Sequence, residues 1–319
     1  MNTQDKIGVL LLNLGGPDRL EDVRPFLLNL FSDRQIIRLG PVFMQKIIAR
    51  IIAYRRAPTS MANYRRIGGG SPIRAKTEEQ AKALERALAS AGRFIVRPCM
   101  RYWHPFADEA LEEMRAAQVR RLIALPLYPH YSIATTGSSV IDLQQQMARR
   151  NLRLPLHIIN AWPEQKAYIA CLVARIREGL ETFAGEAVAL VYSAHSLPVQ
   201  FIQEGDPYVA HLQQTIEAIE VITGIKGRLC YQSRSGPVEW LGPALPEVIQ
   251  ELADQGSRNM LVVPISFVSD HVETLYEIDI QYRQMAQNLG IRFAVTRALN
   301  ADPQFIEALT SLVLKSVAG

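Results

Sequence analysis

Two carboxylates and a histidine are grouped where the sequence changes from strand to helix character. Residues 260–267 are apolar on both faces, which predicts a strand buried inside a parallel sheet. From Asp270 onward the apolar period becomes helical, so Glu273 and Glu277 project from one helix face with His271 close by. Open α/β sheets bind ligands where their strands end. These side chains are therefore candidates for acid–base chemistry.

The same residues also fit a purely structural pattern. Asp270 followed three residues later by Glu273 is a capping box, and acidic side chains stabilise a helix N-terminus. This fragment alone leaves the structural and the chemical interpretation equally open.

A second histidine occupies the same kind of position. The segment 187–194 is predicted to be a strand, and His195 follows it directly. An imidazole titrates near neutrality, which suits a proton acceptor. Ser193 is only two residues away and the G-x-S-x-G motif is missing, which argues against a hydrolase. We expect His157 and His211, on a predicted strand and helix, to be structural.

Length and composition bound the class of protein. A chain of 319 residues with 48% hydrophobic residues suffices for two domains. No apolar run reaches the roughly 18 residues of a membrane-spanning helix, and the N-terminal run is short for a signal peptide, so we expect a cytoplasmic protein. Cys99, Cys171 and Cys230 lack paired spacing, which predicts buried thiols and no disulfide framework.

Basic residues are concentrated in one region, although the net charge is only +4. Residues 34–66 contain eight basic residues and no acidic one, which indicates an anionic partner. The apolar residues of 43–52 follow a helical period, an arrangement that more often faces a core than a membrane. No base-reading motif accompanies the charge, so an acidic small molecule or an anionic membrane is favoured over nucleic acid. The eight are Arg34, Arg38, Lys46, Arg50, Arg55, Arg56, Arg65 and Arg66.

Strands and helices alternate along the chain in two similar halves. LIALPL at 122–127 and LVVPIS at 261–266 both place a proline late in the third strand of their half. Strands are predicted at 7–14, 94–99, 122–128 and 156–161, and again at 187–194, 227–232, 260–267 and 291–297. Helices are predicted at 75–90, 107–117, 208–222, 244–254 and 271–287.

A glycine run at 68–70 precedes Ser71 and follows Tyr64, Arg65 and Arg66. Flexible backbone with hydroxyl and guanidinium groups suits phosphate or carboxylate binding, although a glycine run is also a common turn. No lysine–serine pair ends the run, so it is not a P-loop.

Seven segments, in this order, resemble the ferrochelatase family, whose members insert ferrous iron into a porphyrin. The resemblance covers nearly the whole chain, and SAHSLP with SDHVETLYE is its most specific part. The segments are LLLNLGGP at 10–17, YRRIGGGSPI at 64–73, MRYWHPF at 100–106, LYPHYSIATTGSS at 127–139, YSAHSLP with GDPY at 192–208, YQSRSGPVEWLGP at 231–243 and VPISFVSDHVETLYEIDIQY at 263–282.

The resemblance implies an α/β fold of the type II chelatase kind, with two similar Rossmann-like domains. Each domain is expected to be a four-stranded parallel sheet flanked by helices, with a porphyrin cleft between them. Residues 1–160 would form an N-terminal domain that includes a hydrophobic lip around the cleft mouth. Residues 161–299 would form the domain with the catalytic histidine and the acidic helix, and a helix at 300–319 would return to the first domain.

The resemblance also implies roles for individual residues. His195 would accept a pyrrole proton and bind the metal together with Glu273, and Glu277 would continue the acidic ridge. Mixed nitrogen and oxygen ligation suits Fe(II), although Zn(II) should compete. Iron is then a substrate, and no permanently bound cofactor is expected. Contacts to the ring and its propionates would come from Leu14, Arg56, Tyr64, Ser71, Arg101, Tyr128, Trp240, Phe267, Asp270 and His271.

Three positions depart from the family pattern. Gln281 stands where many relatives have a third carboxylate, and Thr59 replaces a lysine that animal relatives place near the propionates. Ile133 replaces a cysteine that ligates an iron–sulfur cluster in animal enzymes, so we expect no cluster. Without the cluster, the resemblance does not decide between monomer and dimer.

The expected partners are protoporphyrin IX, ferrous iron, an upstream oxidase of the haem pathway and a membrane surface that contacts residues 26–56. The protein would be cytoplasmic or peripheral on the inner face of the cell membrane. Coproporphyrin III as the porphyrin, and cobalt chelation by the same fold, stay open as alternatives, although 64–74 and 100–106 look closer to protoporphyrin enzymes. A tetrapyrrole carrier without catalysis and a phosphate-binding α/β enzyme are the alternatives from other classes.

Overall fold

The computed structural model describes residues 5–37 and 40–318. Arg38, one of the eight basic residues, lies outside the described residues. The chain forms two compact units. Unit 1 comprises the described residues of Met1–Ala161 and Asn300–Gly319, and unit 2 comprises Trp162–Leu299.

Unit 1 is built on a four-stranded parallel sheet with the order β2-β1-β3-β4. The central strand β1 is buried along its whole length, as its unbroken apolar sequence predicts. The strands are β1 Ile7–Asn13, β2 Phe94–Met100, β3 Arg121–Pro126 and β4 Leu156–Ile158. The helices are α1 Val23–Ser32, α2 Gln45–Arg66, α3 Ile73–Leu88, α4 Ala107–Ala116 and α5 Ser138–Arg149, together with the last helix of the chain, Pro303–Ala318, which packs against α3.

Unit 2 repeats this topology with the strand order β6-β5-β7-β8, again all parallel. The strands are β5 Ala189–His195, β6 Arg228–Gln232, β7 Asn259–Pro264 and β8 Arg292–Val295. The helices are α6 Lys166–Glu181, α7 Val199–Gln203, α8 Tyr208–Thr223, α9 Leu245–Asp254 and α10 Arg283–Asn288, so that Pro303–Ala318 is α11. The predicted fold class is confirmed, although α6 and α7 were missing from the predicted elements.

The third strand of each sheet ends earlier than predicted. β3 stops at Pro126 and β7 stops at Pro264, whereas the strands were predicted to reach 128 and 267. Proline has no N–H to donate across the sheet, which weakens the pairing at this point. The next residue still donates to the central strand, from Leu127 to Leu12 and from Ile265 to Ser193. The residues beyond Leu127 and Ile265 turn away from the sheet.

The acidic segment that contains Glu273 and Glu277 is a π-helix and not the α-helix that was predicted. Glu273–Tyr282 forms a π-helix, and only Arg283–Asn288 continues as an α-helix. π-helical turns are rare and often occur at functional sites. A shorter π-helical segment, Ile133–Gly137, follows β3 in unit 1.

The apolar stripe of α2 is only partly buried, because Ile48 and Ile52 are half-buried while Ile47 and Ile51 are exposed. The buried face of the helix consists of alanines four residues apart, at 49, 53 and 57, which allow α1 and α2 to pack closely. Phe43, just before the helix, is 77% exposed, and Ile47 and Ile51 are about half exposed. Small side chains at the contact therefore leave the large apolar ones at the surface.

Candidate active site

His195 and Glu273 form a close pair at the carboxyl end of the second sheet. His195 is the last residue of β5, and Glu273 begins the π-helix that follows β7, the neighbouring strand. The imidazole Nδ1 lies 2.7 Å from a carboxylate oxygen of Glu273. The ring therefore presents Nε2 away from the carboxylate. The His195 side chain is 36% exposed, so a substrate can reach it.

Ser233 connects Glu273 to the second carboxylate. Its hydroxyl lies 2.9 Å from Glu273 and also contacts Glu277, while its backbone N–H donates to Glu277 over 2.9 Å. Ser233 has a φ of 66°, a left-handed conformation that a non-glycine residue rarely adopts. Tyr282 donates a further hydrogen bond to Glu277 over 2.9 Å. Ser233 thus joins the two carboxylates, and Tyr282 holds Glu277 in addition.

Burial and charge move the pKa values of these groups in different directions. Burial alone would lower the pKa of His195, but the negative charges of Glu273 and Glu277 raise it above its ordinary value. Burial opposes ionisation of Glu273, yet the adjacent imidazole holds its pKa well below the usual range. Burial and the charge of Glu273 raise the pKa of Glu277. The site thus combines an ionised carboxylate, an imidazole that titrates and a carboxyl group that takes up a proton readily.

Phe267 and His271 pack beside this pair. The Phe267 ring stands edge-on to the His195 ring with centroids 6.4 Å apart, and its centroid is 4.0 Å from that of His271. Nδ1 of His271 lies 3.1 Å from the Ser269 carbonyl, which can only accept, so this nitrogen carries the proton. Burial lowers the pKa of His271, so its ring is neutral at physiological pH. Asp270, which precedes it, is partly exposed.

In unit 1, Arg101 is held by groups of its own unit at the carboxyl end of β2. Its guanidinium donates to Asp33 over 2.9 Å and to Ser138 over 2.7 Å. Tyr102 donates to the same Asp33 oxygen over 2.7 Å. Burial would raise the pKa of Asp33, but the Arg101 charge and these hydrogen bonds lower it below its ordinary value. A propionate contact by Arg101 stays a prediction.

Leu14 and Ser71 lie near the end of β1. The Leu14 carbonyl accepts a hydrogen bond from the Tyr102 N–H over 2.9 Å, and the Ser71 N–H donates to the Pro17 carbonyl over 2.8 Å. The glycine run before Ser71 has a structural reason, because a Cβ at Gly70 would stand 2.1 Å from the Asp18 carbonyl oxygen.

The remaining predicted residues lie at separate points of the two units. On α2, Arg56 is exposed, with its guanidinium 5.8 Å from the centre of the Phe31 ring, and Tyr64 is buried. Tyr128 is buried after β3. Trp240 follows β6 and pairs with Pro198 through an isolated bridge.

Sequence reasoning missed Ser233, Tyr282 and Asp33. Ser233 directly follows β6, so the rule that strand ends carry function, which selected His195, would also have found it. Asp33 and Tyr282 carry no comparable signal, because only the tertiary structure brings them to their partners.

Two parallel sheets of this topology, with an imidazole–carboxylate pair at a strand end, define the chelatase class of fold. The sirohydrochlorin chelatase SirB from Bacillus subtilis, solved with cobalt, matches with a TM-score of 0.55 and 11% identity, over 98% of this chain and 96% of that chain. SirB solved with Fe3+ matches with a TM-score of 0.56 and 12% identity, over 76% and 89%. At these identities the likeness shows the fold.

The Ferrochelatase family model matches residues 6–317. A ferrochelatase from Desulfotalea psychrophila is 58% identical over 97% of this chain and 97% of its own length. Ferrochelatases from Geotalea uraniireducens and Gloeobacter violaceus are 49% and 47% identical, each over 98% of this chain and over 99% and 98% of their own lengths. This chain belongs to the ferrochelatase family.

Proposed function

We propose that the protein inserts ferrous iron into protoporphyrin IX to form protohaem, the final step of haem b biosynthesis. The observation that carries this proposal is the His195–Glu273 pair, with 2.7 Å between Nδ1 and the carboxylate, in a chain of the ferrochelatase family. Metal insertion must remove two pyrrole protons and take water from the ion. A neutral imidazole and two carboxylates supply acceptors for those protons.

His195 acts as the proton acceptor in this proposal. Its Nδ1–H donates to Glu273, which fixes the tautomer and leaves the Nε2 lone pair for a pyrrole N–H. Glu273 stabilises the imidazolium that forms, and Glu277, whose pKa is raised by burial and by Glu273, takes up a proton on the way to solvent. His195 and Glu273 also offer the nitrogen and oxygen ligands that a passing Fe(II) ion accepts.

Substrate contacts elsewhere in the chain are part of the same proposal. Arg56, Tyr64, Ser71 and Arg101 are proposed to meet the propionates. The apolar faces of Leu14, Phe267 and Trp240 would contact the ring, and binding energy spent there could bend the macrocycle toward its reactive shape.

The test mixes the protein with Fe(II) under anaerobic conditions and either protoporphyrin IX or coproporphyrin III, and follows the loss of free-porphyrin fluorescence. We expect fast loss with protoporphyrin, abolished by His195→Ala and retained by His157→Ala, a matched control on an exposed position of β4. Loss of fluorescence with coproporphyrin III but not with protoporphyrin IX would show that the enzyme belongs to another route of haem synthesis. Insertion of cobalt in place of iron would indicate a different chelatase, and binding without insertion would indicate a carrier.

We also propose that α2 and the residues before it contact a membrane surface. Within the described ranges, no helix has the length and apolar content needed to span a bilayer. The support is an exposed apolar surface flanked by Lys46, Arg50 and Arg55, which suits an anionic interface. Its members are Val42, Phe43, Ile47, Ile51 and Tyr54, between 49% and 77% exposed.

Vesicle sedimentation tests the membrane proposal. Phe43→Asp with Ile47→Asp should reduce pelleting with anionic vesicles, and reversing the charges of Arg50, Arg55 and Arg56 should reduce it too. Val221→Asp is the matched control, because Val221 is an exposed apolar residue, 85% exposed, of unit 2. Equal pelleting of all variants would eliminate this surface as the contact.

We further propose that the enzyme works without an iron–sulfur cluster. Its three cysteine side chains are buried, and burial raises the pKa of Cys99 and Cys230, which disfavours the thiolate that a cluster needs. Iron and sulfide analysis of the purified protein tests this. An upstream oxidase as porphyrin donor is inferred from the family resemblance alone.

A further inference from the structure

We propose that Tyr208 and Ser266 are positioning residues for His195, joined to its peptide group by a closed ring of three hydrogen bonds. The expected loss of kcat rests on the proposed function, whereas the hydrogen bonds around His195 do not. The ring consists of two contacts of the His195 peptide group and one contact between Ser266 and Tyr208.

The ring lies where one side of the sheet stops supporting β5. The ladder between β5 and β7 ends with Ser193 opposite Pro264, two residues before His195. On the other side, β6 continues, with Gln232 opposite His195. The peptide of His195 therefore lacks a strand partner on the β7 side, and side chains must satisfy its N–H and carbonyl groups.

Two hydroxyl groups replace the missing strand. The His195 N–H donates to the Ser266 hydroxyl oxygen over 3.0 Å, and the Tyr208 hydroxyl donates to the His195 carbonyl over 3.0 Å. The Ser266 hydroxyl is hydrogen-bonded to the phenol oxygen of Tyr208. Each group can donate one proton, so His195 donates to Ser266, Ser266 to Tyr208 and Tyr208 back to His195.

This arrangement attaches the strand end to two other elements. Tyr208 is the first residue of α8, is 5% exposed, and has its own N–H bound by Asp206 over 3.0 Å. Ser266 lies in the turn between Pro264 and Phe267. The Ile265 N–H makes the last backbone bond to β5, at the Ser193 carbonyl. The ring thus lets the chain leave the sheet after Ile265 while the backbone of His195 stays fixed. Direction of the imidazole toward Glu273 depends on that backbone.

Removing the Tyr208 hydroxyl should affect the reaction more than substrate binding. We expect Tyr208→Phe to lower kcat about ten-fold and to leave the porphyrin KM within about two-fold, because small displacements of a reacting group are costly. Ser266→Ala should act alike. The double variant should lose little more than either single variant, since each already opens the ring.

Tyr168→Phe is the matched control. Tyr168 is also buried, and its hydroxyl donates to the Ile265 carbonyl over 3.3 Å, in the same turn but not to His195. This variant loses the same kind of hydroxyl and should keep wild-type kcat. Ser266→Thr retains the hydroxyl and should keep most of the activity that Ser266→Ala loses.

A second readout separates this inference from the proposed function. The nitrogen resonances of the His195 imidazole, recorded by NMR against pH, should shift in Tyr208→Phe and Ser266→Ala and stay unchanged in Tyr168→Phe. If the wild type inserts no metal, the proposed function is wrong. The imidazole resonances still show in that case whether the hydrogen-bonded ring positions His195. Wild-type kcat and wild-type resonances in Ser266→Ala would overturn the ring, even if Tyr208→Phe failed to fold.

Discussion

Each unit holds a carboxylate, buried at Asp33 and partly buried at Glu273, that is bound by a nitrogen base and a serine, but the two clusters differ in charge. The Asp33 cluster of unit 1 comprises Asp33, Arg101, Tyr102 and Ser138. The Glu273 cluster of unit 2 comprises Glu273, Glu277, His195, Ser233 and Tyr282. Both include a tyrosine that donates to a carboxylate.

The nitrogen base, Arg101 in one cluster and His195 in the other, determines whether the cluster can exchange protons near neutral pH. A guanidinium does not lose its proton in proteins, so Arg101 and the ionised Asp33 compensate each other at neutral pH, and the pair stabilises the fold. An imidazole gains and loses its proton near neutral pH, and Glu277 adds a second negative charge without a second cation. Similar side chains therefore give a structural contact in one unit and an acid–base group in the other.

The largest effect is expected at the Glu273 cluster. Glu273→Gln removes the charge that orients and stabilises the imidazolium of His195, so metal insertion should fall by about 10²–10⁴-fold. Stopped-flow fluorescence of porphyrin consumption measures this change. Activity within two-fold of wild type would contradict the acid–base assignment.

Asp33→Asn should mainly reduce stability. It removes the nearest carboxylate from the mostly buried Arg101 guanidinium and, among the described residues, leaves only Asp142, 3.9 Å away, which costs about 3 kcal/mol of unfolding free energy. Urea denaturation of the whole protein, compared between wild type and Asp33→Asn, measures the loss of unfolding free energy.

The pH dependence of that stability has a definite sign. The pKa of Asp33 is lowered on folding, so its contribution is present above the unfolded pKa and is lost as pH falls through the folded pKa. Asp33→Asn should flatten the acid limb of the stability curve. An unchanged acid limb would show that other carboxylates dominate there.

Glu277→Gln should shift the pH profile of metal insertion. Glu277 raises the pKa of His195, and His195 must be neutral to accept a proton, so activity increases as pH rises through that pKa. Removing the Glu277 charge lowers the pKa and moves the acid limb of the rate profile to lower pH. A shift to higher pH would show that the limb reports another group.

The smallest effects should come from matched serine variants. Ser138→Ala should cost about 1–2 kcal/mol of stability, because it leaves buried partners of the Asp33 cluster unsatisfied. Ser233→Ala should change stability less and lower the insertion rate a few-fold, since Ser233 holds the two carboxylates of the Glu273 cluster. Thermal unfolding and initial rates of metal insertion should be measured on both variants. Equal losses of stability and of rate in Ser138→Ala and Ser233→Ala would refute the difference between the two clusters.

Much of the fold follows from the sequence alone. Apolar runs such as 7–14 predict buried parallel strands, and the repeated proline at the end of the third strand predicts two similar halves. Strand-end positions predicted that His195 lies at the same edge as Asp270 and His271, because carboxyl ends of neighbouring parallel strands meet there. The specific pairing of His195 with Glu273 was implied by the family resemblance. These signals are local patterns, which a sequence displays directly.

Tertiary structure decided the features that depend on contacts between distant residues. Ile47 and Ile51 of α2 are exposed because alanines form the buried face of this helix, a choice that helical periodicity cannot make. The acidic segment is π-helical, and Ser233, 40 residues away from Glu273, bridges its carboxylates. Arg101 is bound by Asp33, 68 residues away. Charge balance in a site is set by such long-range partners, and therefore only the folded chain shows which carboxylate is compensated and which can take up a proton.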